Sequence, residues 1–154
     1  MKKLIFGTLV MFIASMAISQ TADDYIEIMR SVLKTEKKAI IAEVMMFTEA
    51  EAEVFWPLYN EYNTEIYKIG DKQIKVIKDF AKNMDNMTDE KADELWKNYL
   101  AVQTEYLKLQ KKYYARFKKI LPAGKVAKYF QAENKIGAMI DYELAAEIPF
   151  IETK

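Results

Sequence analysis

The chain has 154 residues, enough for one domain with a real core, and its 23 basic side chains are matched by 23 acidic ones. A neutral chain is a poor general nucleic-acid binder, because that affinity rests on neutralising phosphates. Cysteine and histidine are both missing, which removes the disulfide staple, the thiol nucleophile, the commonest metal ligand and the commonest general base.

Residues 1–20, MKKLIFGTLVMFIASMAISQ, have the three parts of a secretory signal. Lys2 and Lys3 form the positive end, and Leu4 to Ile18 is an uncharged apolar core. Ala17-Ile18-Ser19 offers small residues at the two positions that a signal peptidase inspects. The apolar run is about 15 residues, short of the ~20 that span a bilayer. The sequence therefore predicts a signal peptide over 1–19, a mature domain over 20–154, and no stable membrane insertion after cleavage. With no cysteine to carry a lipid or a disulfide, the expected address is the periplasm, with release from the cell as the second choice.

Glycine and proline are scarce, at four and three residues. A sandwich or barrel needs many more turn residues, so the expected class is all-α. Thr21 to Met46 predicts a first helix with a broken stripe of Tyr25, Ile28, Val32, Ala39 and Ile40. Phe47-Thr48-Glu49-Ala50-Glu51 is a helix start: Thr48 can cap, and Glu51 three residues on can close a capping box. One long curved helix over Thr48–Asn86 follows from Phe55, Tyr59, Tyr62, Ile66, Ile69, Ile74, Ile77, Phe80 and Met84 at helical spacing. Pro57 and Gly70 should weaken or kink it, yet the stripe passes through both in phase.

Met87-Thr88-Asp89-Glu90-Lys91 is the next start, with Thr88 as cap. The stretch Glu94–Leu121 then organises the chain. Leu95, Tyr99, Val102, Tyr106, Leu109, Tyr113, Phe117 and Ile120 share one side of a helix roughly 40 Å long. A second row, Leu100, Leu107, Tyr114 and Leu121, widens the apolar face beyond a coiled-coil seam. Such a helix needs partners. Ile120-Leu121-Pro122-Ala123-Gly124-Lys125 stops it, and Pro122 opens a last helix carrying Val126, Tyr129, Phe130, Ile136, Ile140 and Leu144.

The starts at Thr48 and Thr88 resemble the repeated LTxxQ motif of the Spy/CpxP family of periplasmic proteins, and Ile120-Leu121-Pro122-Ala123-Gly124-Lys125-Val126 is similar to a worn later copy. The closing glutamine is Glu51 in the first copy and Lys91 in the second. The resemblance implies an all-α, cradle-shaped homodimer of long curved helical hairpins, with about four helices per chain. It further implies an ATP-independent chaperone that holds unfolded or partly folded envelope proteins. The alternative is an envelope-stress signalling accessory that docks one periplasmic sensor domain or anti-sigma partner. No enzymatic activity, cofactor or metal is expected.

Site expectations come from the aromatics, Tyr 10, Phe 8 and Trp 2. Phe55-Trp56 and Tyr113-Tyr114 point rings in two adjacent directions from one helix, more than one layer can cover. Phe55, Trp56, Tyr59, Tyr62, Tyr99, Tyr106, Tyr113 and Tyr114 are therefore the candidate client- or partner-binding rings, with core and dimer packing as the competing role. Lys112 and Arg116, from the basic run Lys108–Lys119, are the candidate rim that attracts acidic clients; the competing role is a solvated flank favoured by the helix dipole. The carboxylates read as solvated helix faces, and clusters such as Glu49-Glu51-Glu53 and Asp89-Glu90-Asp93-Glu94 sit at first turns, where the dipole explains them.

Overall fold

The computed structural model describes residues 35–152. The signal-peptide reading and most of the expected first helix lie outside those residues. Chain contacts divide the molecule at Ala39/Ile40. Residues 35–39 are helical, and Ile40–Lys154 hold the hydrophobic core. Helix α1 occupies residues 35–45, α2 Glu49–Asn83, α3 Asp89–Phe117 and α4 Ala123–Glu147, with a single 3-10 turn at Met84–Asn86. No strand occurs among the described residues, and no helix there is long and apolar enough to cross a membrane. The all-α helical-hairpin reading holds.

Each helix boundary has a local cause. Met46 ends α1 with a left-handed φ of 48°, a conformation that satisfies a helix end but strains a residue with a Cβ. Thr48 then caps α2. The Glu51 amide donates to Thr48 Oγ1 at 3.3 Å, and the Thr48 amide donates to Glu51 Oε2 at 3.1 Å. This is the reciprocal capping box expected from the sequence. The helix runs unbroken through Pro57 and Gly70. At Pro57 one internal hydrogen bond is absent, and the burial of Phe55, Tyr59 and Tyr62 on one face outweighs that loss. Thr88 caps α3 by accepting from the Lys91 amide at 3.2 Å. Pro122 stands at the N-cap of α4 and makes no side-chain cap.

Helices α2 and α3 pack antiparallel, and the core is largely a cluster of rings. Phe117 lies at its centre, with ring centroids 5.3 Å from Phe55, 4.9 Å from Tyr129 and 5.9 Å from Phe130. Tyr62 meets Tyr113 at 4.9 Å and Phe130 at 5.7 Å. Helix α4 therefore closes the hairpin through Tyr129 and Phe130, and rings of this size let it pack without close backbone approach. Ile41, Met45, Leu109, Leu121 and Val126 fill the remainder.

Candidate functional site

Helix α3 carries two apolar rows, and the structure buries only one of them. Leu95, Val102, Leu109, Tyr113 and Phe117 face the core. The second row is covered at its C-terminal end: Leu121 is buried, and the Tyr114 ring lies 5.5 Å from that of Phe130. Towards the N-terminus the row is open. Leu107 is 50% exposed, Leu100 47% and Trp96 59%, with Tyr99 at 37% stacked on Trp96 at 5.2 Å. Spacings of four and seven put Trp96, Leu100 and Leu107 in line on one side of the helix. Four large apolar side chains on one exposed helical face form the kind of patch that marks an interaction surface.

The expected binding rings are sorted by this geometry. Phe55, Tyr59, Tyr62 and Tyr113 are core residues, which corrects their candidacy as exposed binding rings: Tyr129 and Phe130 of α4 cover the first three, and Tyr113 packs on Tyr62 of α2. Trp56, Tyr106 and Tyr114 are half-buried at the edge of that core, and Trp56 packs edge-on to Phe47, Phe55 and Tyr59. Only Tyr99 among them joins the open row. Trp96, the largest member of the row, was not among the candidates. Extending the Leu100–Leu107 row one turn towards the N-terminus reaches it.

Arg116 is not a free rim charge. Its Nη2 donates to Glu61 Oε2 at 2.7 Å and its Nη1 to Oε1, while the Tyr113 hydroxyl donates to the same carboxylate at 2.8 Å. The guanidinium also sits 4.8 Å from the Tyr113 ring centroid. These bonds hold the Glu61 carboxyl down at about 2, first through Arg116 and then through Tyr113. The group is a clamp between α2 and α3. Lys112 is exposed, with its Nζ over the Tyr113 ring at 5.3 Å from the centroid. Glu51 does double duty, closing the Thr48 capping box and accepting from Lys125 at the start of α4. The first motif-like start is thereby tied to the third.

Two further features escaped the sequence. Glu133 of α4 is buried, and its charge helps push up the phenols of Tyr59, Tyr62, Tyr67, Tyr106 and Tyr129, in each case behind burial itself. A glutamate on a helix reads as solvated, so no sequence signal marks it. Between α2 and α3 lies a hollow of about 310 Å3 with Val76 and Val102 on its floor and Lys72, Asp79, Glu94 and Glu105 around it. Two lysines, Lys72 and Lys75, face three carboxylates there, and Lys72 and Glu105 pair at 2.5 Å. Among the described residues no three side chains converge as metal ligands.

Comparison with family models, curated proteins and solved structures gave no match to this chain. The reading of the site therefore rests on its own geometry.

Proposed function

We propose that the protein binds non-native polypeptides in the bacterial envelope and holds them without ATP. The observation that carries this reading is the open row Trp96, Tyr99, Leu100 and Leu107, which a helix buried on its other side leaves in water. Removing such side chains from water contributes roughly 25 cal/mol per Å2 of apolar surface, a gain available to any apolar segment regardless of sequence. Trp and Tyr suit this task because each combines a broad apolar body with a polar tip. The signal-like segment at residues 1–19 supports an address in the periplasm, where a holding chaperone works without nucleotide.

The test is aggregation of a reduced or heat-denatured client followed by light scattering. Suppression at stoichiometric protein is the expected result; no suppression at any ratio overturns the reading. A crosslinking pull-down separates this function from a signalling role. Many weakly held clients accord with holding, whereas one tightly held folded sensor domain means that the row serves a dedicated partner.

A further inference from the structure

The open row on α3 has a neighbour that matches it. One face of α4 carries Val126, Phe130, Ile140, Leu144 and Ile148, with Glu133 and Gly137 between Phe130 and Ile140, and the burial of its apolar side chains falls along the helix. Val126 and Phe130 are buried, Ile136 and Ile140 half-buried, and Leu144 and Ile148 are 37% and 38% exposed. The packed part of α4 also has a clear register on α3. Tyr114 meets Phe130 at 5.5 Å, and Gln110 Nε2 donates to Asn134 Oδ1 at 3.0 Å. Four residues back along α3 correspond to four residues forward along α4, as in two antiparallel helices with equal rise.

Carried on in that register, Leu144 falls opposite Leu100, and Ile148 falls opposite Trp96. Asp141 is still close enough for its charge to bear on Tyr106. Gly137 lies where the buried part of α4 gives way to the exposed part. A Cβ built there meets no atom within 4 Å, so packing does not demand the glycine. Its effect is to soften the helix, by about 1 kcal/mol relative to alanine. The exposed row is thus continuous with an interface the chain already makes, and the segment that would extend that interface is at hand.

We propose that the distal half of α4, from Gly137 to Ile148, is a strap that closes over Trp96, Tyr99 and Leu100 and competes with bound polypeptide for that surface. The competition rests on the row being the polypeptide-binding face; the closure itself does not. Closed, the strap shields the row and lowers its tendency to self-associate; open, as in this structure, it leaves the row to a client. An apolar client displaces it, because both bury the same side chains.

The chain contains no cysteine, so one engineered pair can be read without background. Full-length protein carrying Leu100→Cys and Leu144→Cys is oxidised under mild conditions, with Leu107→Cys and Leu144→Cys as the out-of-register control. A monomeric crosslink in the first pair and little in the second is expected. In a Trp56→Phe background, oxidation should also protect Trp96 from acrylamide quenching. A crosslink found only between two copies, or none in a protein whose circular dichroism is unchanged, overturns the strap. For the competition, the oxidised form should capture denatured client several-fold less than the reduced form; equal capture by both overturns it. A reduced form that captures no client while the crosslink and the quenching behave as expected refutes the proposed function and leaves the closure standing.

Discussion

Replacing Phe117 with alanine removes the ring on which α2, α3 and α4 converge. The side chain is fully buried and has four ring neighbours within 6.2 Å, namely Phe55, Tyr62, Tyr129 and Phe130. Phe→Ala at such a site costs about 3–5 kcal/mol, the lost transfer energy plus the cavity left behind. A rigid aromatic surround favours the middle of that range or above, so about 4 kcal/mol is expected. For a body of this size each kcal/mol moves the melting temperature by about 4 °C, giving a drop of about 15 °C. Leu107→Ala is the matched control, because half of that side chain is in water. Its effect should stay within about 0.5 kcal/mol. Both follow from urea and thermal unfolding monitored at 222 nm. Equal losses in the two variants, or a Phe117→Ala loss below about 1 kcal/mol, would refute the division of α3 into a packed and an open row.

High pH tests the enclosed tyrosines. Burial, then the bond to Glu61, pushes the Tyr113 phenol up to about 12, against about 10 in the unfolded chain. A raised folded value means that the contribution is fully present below pH 10 and is lost as pH rises from there towards 12. Stability should be flat up to about pH 10 and then fall by roughly 1.4 kcal/mol per pH unit for each such tyrosine; a flat profile to pH 12 contradicts the enclosure. Glu133→Gln removes a charge that, behind burial, raises the phenols of Tyr67 and Tyr106, so their native-state phenolate titration at 295 nm should move to lower pH. Thr48→Ala breaks the capping box and should cost about 1 kcal/mol in urea unfolding, with no loss marking the cap as incidental. Met46→Gly relieves a left-handed residue whose side chain is exposed, and should stabilise by about 0.5–1 kcal/mol; destabilisation would mean that the Met46 side chain contributes more than its conformation costs.

The helix boundaries were legible in the sequence because caps are local chemistry. Thr48 with Glu51, Thr88 and Pro122 act within a few residues of themselves, and all three starts fall within one residue of the positions they mark. The continuity of α2 through Pro57 was legible too, because the stripe stays in phase. Which apolar row of α3 ends up covered was not. Tyr114 and Leu107 share one row of the helical pattern; what separates them is where Phe130 lands, and that is set by packing between distant segments. The same layer takes Phe55, Tyr59 and Tyr62 out of the candidate surface. Arg116 and Glu133 show a related limit. A charge on a helix reads as solvated, whereas one is clamped by Glu61 fifty-five positions away and the other is enclosed by tyrosines from three helices.

The most direct test of the open row is a variant with Leu100→Lys and Leu107→Lys, assayed for binding of a fluorescently labelled unfolded polypeptide by anisotropy. Both side chains point into water, so the melting temperature should be unchanged while affinity falls by at least about tenfold, roughly 1.4 kcal/mol. Undiminished binding by a variant that melts like the parent would contradict the account.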